Sequence, residues 1–102
     1  MTDSGSELSS GNIPIQLFRL GKLVVTPGVL NAVPREELDA ALRRHVGGDW
    51  GELDEHDRMA NDHALQTGLR IFSVYDSKAG IRFWIITEHD RSYTTFLLPK
   101  EY

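Results

Sequence analysis

Three stretches in the second half of the chain, Leu69–Tyr75, Ile81–Thr87 and Tyr93–Leu98, are dense in β-branched and aromatic residues, and five residues separate each from the next. The separators, Asp76-Ser77-Lys78-Ala79-Gly80 and Glu88-His89-Asp90-Arg91-Ser92, consist largely of turn formers. Connections this short join antiparallel neighbours but cannot carry a crossover to a parallel strand, so they predict an antiparallel meander. Such a meander needs a covering layer to bury its apolar residues.

The preceding residues supply that layer. Thr26-Pro27 pairs a capping hydroxyl with a proline at the first helical position, which predicts one or two helical turns from Pro27 to Val33. Pro34 opens a clearer helix, with Glu36 and Glu37 in its first turn, Arg43, Arg44 and His45 in its last, and Gly47-Gly48 beyond. Leu38, Ala41, Leu42 and Val46 recur at helical spacing and are expected to face the core. A second helix is expected from an Asp54 cap to Gly68, with Leu53, Ala60 and Ala64 as its narrow apolar stripe. Upstream, Ile13–Leu20 and Lys22–Val25 flank Gly21 and read as a first strand or β-arm.

The expected architecture is therefore α+β: an antiparallel sheet of about four strands with two helices on one face, in the order β-α-α-β-β-β. At 102 residues it forms a single domain from residue 13 to 102. Residues 1–12, rich in Ser, Gly and acid, are expected to form a flexible tail.

Charge and cysteine content exclude whole classes of function. Eleven basic against fifteen acidic residues give a net charge of −4, the wrong sign for direct nucleic-acid binding. Without cysteine there is neither disulfide, thiolate catalysis nor thiolate metal site. No basic region followed by an apolar run opens the chain, so a cytoplasmic protein without membrane attachment is expected.

Candidate chemistry gathers in two places. The segment Asp49–Asp62 holds Asp49, Glu52, Asp54, Glu55, Asp57 and Asp62 against Arg58 alone, and fits either a helix start or a face for a basic partner. It lacks the acid spacing and central glycine of a calcium loop. Trp50, between Asp49 and Gly51, reads as a recognition aromatic or as an anchor for the interhelical loop. His56 and His63 lie seven residues apart, a spacing that separates their rings by about 10 Å on a helix, so no metal site is expected even with His45 nearby. The second place is the hairpin tip Glu88–Thr95, where Glu88, His89, Asp90 and Arg91 bring together a base, a guanidinium and carboxylates. Asp49, Trp50, Glu52, Glu55, Glu88, Asp90 and Arg91 are thus the expected binding residues, with no catalytic residue and no cofactor. On the central strand, Trp84 shares a face with Arg82 and Ile86, a candidate contact surface if helices cover only the opposite face.

The combination Gly48-Asp49-Trp50-Gly51, Asn61, Ala64-Leu65, Gly68, Tyr75, Trp84-Ile85-Ile86-Thr87-Glu88, Asp90-Arg91-Ser92, Thr94-Thr95 and Leu97-Leu98-Pro99 resembles a group of small bacterial proteins labelled hypothetical, plasmid-related or type I restriction enzyme methylation subunit. The resemblance implies a bacterial accessory protein linked to mobile elements or defence. The chain carries neither a glycine-rich cofactor loop after a strand nor an Asn-Pro-Pro-aromatic motif, so methyl transfer is not expected. The element order is also similar to that of RelE/ParE-like ribonuclease toxins, which implies a nuclease reading with Arg82, His89 and Arg91 as catalytic residues. The leading expectation is a non-enzymatic protein-binding module; the nuclease and an acidic decoy for a nucleic-acid-binding enzyme are the alternatives.

Overall fold

The structure, a computed structural model, describes residues 15–102. The tail expected over residues 1–12 lies outside the described residues. The expected first strand is shorter than its apolar content suggests: Ile15–Leu20 forms no strand, and β1 is Lys22–Val25. Thr26 then caps α1 (Pro27–Ala32), its hydroxyl accepting from the Val29 amide, while Pro27 occupies the first turn. Helix α2 (Arg35–Val46) follows with acids in its first turn and Arg43, Arg44 and His45 in its last. The Asp54 carboxylate accepts from the Asp57 amide to start α3 (Glu55–Thr67), which stops at Gly68 in the left-handed conformation. Strands β2 (Ile71–Asp76), β3 (Arg82–Thr87) and β4 (Tyr93–Leu97) form the meander, and a 3₁₀ turn, Pro99–Glu101, closes the chain.

Three helices rather than two thus separate β1 from β2, and the sheet is mixed rather than antiparallel. Its order is β1-β4-β3-β2; the meander pairs are antiparallel, whereas β1 runs parallel to β4. The difference has a simple origin. Short turns dictate the pairing of β2, β3 and β4, but β1 meets β4 only after the helices have carried the chain across to the far edge, so its direction is set by packing rather than by a turn.

Alternation along the strands divides the sheet into two unlike faces. Tyr75, Phe83, Ile85 and Phe96 pack under Val29 and Val33 around α1 and Leu38 and Ala41 of α2. Helix α3 does not join that layer, contrary to the expectation of all helices on one face. It lies along the outer edge of β2, where the Asn61 side-chain amide donates to the Phe72 carbonyl and its oxygen accepts from the Phe72 amide. One residue pair further on, the Val74 amide donates to the Trp50 carbonyl and the Val74 carbonyl accepts from the Glu52 amide. An asparagine side chain and a loop therefore satisfy the edge of β2, where a fifth strand would otherwise be templated. Asn61 takes the buried position expected for Ala60, which is exposed. Asn61→Ala leaves both Phe72 backbone groups unpartnered and is expected to cost about 2 kcal/mol in a urea titration; a loss below about 0.5 kcal/mol would mean water replaces the amide freely.

Candidate functional site

Most of the residues expected to bind a partner make contacts within the chain, but of the seven only Trp50 is buried. Asp49 forms a two-point ion pair with Arg44, at 2.8 and 3.2 Å, accepts from the Gly51 amide, and offers its carbonyl to the Tyr75 hydroxyl. The Arg44 bond, more than any other contact, holds the Asp49 carboxyl below the usual carboxylate range. Trp50 is 2% exposed, packed between Phe18 and His45, with its indole N–H directed at Asp62. It is a buried anchor, so its place among the contact residues is corrected: the large apolar area gained by burying the ring outweighs display. Glu52 and Glu55 remain exposed, Asp54 caps α3, and Asp90 folds over its turn to accept from the Ser92 amide.

The hairpin tip is similarly committed. Arg91 has a φ of 59°, and its guanidinium donates to the carbonyls of Ala64, Leu69, Glu88 and His89. Those bonds tie the end of α3 to the β3–β4 turn and use the donors that an anion would need. Glu88 contributes backbone, accepting from the Arg91 amide, and His89 is exposed. Arg82 stands at the other end of β3, about 17 Å along the strand from Thr87, and is paired twice with Asp76 at 2.9 and 3.0 Å. Arg82, His89 and Arg91 therefore do not meet around one point.

His45, considered above only as a third imidazole, lies instead in a buried polar chain between α2 and the sheet. Its Nδ1 is 2.6 Å from Ser73 Oγ and its Nε2 is 2.8 Å from Thr87 Oγ1, which is 2.8 Å from Thr94 Oγ1. Thr94 donates to the Leu20 carbonyl. A hydroxyl has one proton, so the direction propagates: Thr94 accepts from Thr87, and Thr87 accepts from Nε2–H. With the imidazole neutral, Nδ1 is left to accept from Ser73. Burial, with a smaller contribution from the Arg91 charge, pushes the imidazole pKa down to about 3. Ser73, Thr87 and Thr94 are as inaccessible as His45, so the chain fastens the core and cannot meet a substrate. His56 and His63 are exposed, and among the described residues no cluster of potential ligands could hold a metal ion. Nor is any described helix long and apolar enough to cross a membrane.

What the fold leaves open is the second face of the sheet. Trp84 and Ile86 of β3 and Phe72 of β2 form the floor of a cleft of about 340 Å³, bordered by Asp57, Ala60 and Asn61 of α3 and by Arg70 and Tyr102. The Phe72 and Trp84 rings meet edge to face at 5.0 Å, Tyr102 meets Trp84 at 5.6 Å, and the Arg70 guanidinium lies 5.5 Å from the Tyr102 ring. Glu101 fixes this wall by accepting from the Thr26 hydroxyl and from the Gly28 and Leu98 amides. Trp84 is half-buried, and its indole N–H has no hydrogen-bond partner among the described residues. The cleft thus offers aromatic faces, an unused N–H donor, and one charge of each sign at its rim. Period-two alternation on β3 pointed to Trp84 and Ile86; nothing local signalled Tyr102, because its position depends on the Glu101 contacts 73 and 75 residues away in sequence.

Comparison with protein-family models, with curated proteins and with solved structures yields no match.

Proposed function

We propose that this chain is a non-enzymatic protein-binding module that receives an extended segment of a partner in the cleft over Trp84. The carrying observation is the open aromatic floor of Phe72, Trp84 and Tyr102 with an unused indole N–H. Aromatic-lined grooves of this kind hold extended segments by stacking on apolar or proline side chains while an indole donates to a backbone carbonyl. Arg70 at the rim favours an acidic residue beside the anchor, and Asp57 limits how many acids the segment can carry. The bacterial accessory role in a mobile-element or defence setting rests on the resemblance described above.

A displayed peptide library selected on the wild-type chain and counter-selected on Trp84→Ala tests the reading. Selected peptides are expected to carry a proline or aromatic anchor and to lose about thirtyfold in affinity on Trp84→Ala, the scale of an aromatic hot spot. Equal affinity for both proteins would rule the cleft out.

A further inference from the structure

The opposite end of the sheet presents a different surface. β1 is its outermost strand, exposed along its whole length, with Leu23 50%, Val24 38% and Val25 36% accessible. Lys22 and Thr26 donate their amides to Ser92 and Phe96, so backbone alternation turns the amide and carbonyl groups of Leu23 and Val25 outward. Among the described residues nothing receives them. Beside this edge, Leu30 of α1, 68% exposed, stands over an apolar groove of about 430 Å³ that runs on to Leu38 and Leu42 of α2. The β2 edge is closed by Asn61 and the Trp50–Glu52 loop, whereas β1 has no proline, no bulge and one lysine to guard it.

We propose that β1 is a self-association edge, pairing antiparallel with β1 of a second copy about a twofold axis through Val24. The register follows from the outward groups. Leu23 and Val25 must exchange hydrogen bonds with Val25 and Leu23 of the second copy, which makes four bonds and places Val24 opposite Val24 in a non-hydrogen-bonded pair. Lys22 then lies opposite Thr26, so no like charges face each other, and the remaining pairs are apolar. The same operation brings Leu30, which borders the edge, toward its counterpart on the helix-bearing face. Two four-stranded sheets become one continuous sheet of eight. A twofold arrangement of this kind is closed, since each copy uses its one open edge.

Sedimentation equilibrium of the full chain over micromolar to millimolar concentration is expected to show a dimer of twice 11.5 kDa. Val24→Lys, which sets two ammonium groups opposite each other at an exposed position, is expected to leave the monomer with wild-type circular dichroism. Because the chain has no cysteine, the register can be read covalently. In the proposed pairing the two Val24 Cα atoms lie about 4.5 Å apart, within disulfide reach, while the two Leu23 Cα atoms lie about 8 Å apart, beyond it. Mild oxidation should therefore cross-link Val24→Cys into a covalent dimer at least tenfold faster than Leu23→Cys. A wild-type chain that stays monomeric throughout the range, whether residues 1–14 or another protein then meets the edge, overturns the proposal. So does equal cross-linking of the two cysteine variants. The Trp84 cleft lies at the other end of the sheet, and neither result bears on it.

Discussion

His45→Ala is expected to cost about 3–5 kcal/mol of stability, the range for emptying a large buried site while orphaning its hydrogen-bond partners. The imidazole is wholly buried, and its loss strands Ser73 and breaks the directed chain through Thr87 and Thr94 to Leu20. Urea unfolding at neutral pH measures the loss. The same side chain gives stability a characteristic pH dependence. Its folded pKa, about 3, lies below the ordinary 6.5, so the unfolded chain binds the extra proton as pH falls. The contribution is complete above pH 6.5 and is lost progressively down to about pH 3. Between pH 6.5 and 4.5 wild type is expected to lose about 2 kcal/mol. The other three histidines are exposed, and Asp49, Asp76, Asp90 and Glu101, whose pKa values are also lowered, add to acid sensitivity chiefly below about pH 4.5, where free carboxylates take up protons. His45→Leu, which keeps an apolar volume in the site, should flatten that slope. An unchanged slope would mean that His45 takes up its proton as readily in the folded chain as in the unfolded one, so that burial does not lower its pKa.

Gly51→Ala is expected to be nearly as damaging, at about 3–4 kcal/mol, because left-handed strain adds to a collision and the loss of buried hydrogen bonds. Gly51 has a φ of 73°, and a Cβ there would fall 1.9 Å from the Val74 carbonyl oxygen. Relieving that contact means abandoning the bridge in which Trp50 and Glu52 pair with Val74, and with it the closure of the β2 edge. Gly68 separates the two causes. It has almost the same φ, 74°, but a Cβ added there would meet nothing within 4 Å, so Gly68→Ala should cost only about 1–2 kcal/mol. Equal losses at the two glycines would show that strain alone matters at position 51.

Features that depend on neighbouring residues were legible in the chain itself. Thr26-Pro27, Glu36 with Glu37, Asp54 and Gly68 mark helix ends because capping is settled within one turn. The meander was equally plain, since five-residue connections leave β2, β3 and β4 little choice of partner. The site was less so. Acids at Asp49, Asp54 and Asp90 read in line as an exposed surface, and exposed they are, but each also accepts from a backbone amide, and the Arg91 guanidinium donates to four carbonyls.

By itself, then, the sequence determined the helix boundaries, the antiparallel meander, the α+β class and the absence of thiol chemistry. The tertiary structure alone decided the parallel pairing of β1 with β4, the role of α3 as an edge seal, the buried course from His45 to Leu20, and the cleft under Tyr102. The physical reason is range. Capping, periodicity and short turns are decided by neighbours a few residues apart, whereas edge pairing, burial of a polar side chain and the walls of a cleft depend on which distant segments packing brings together.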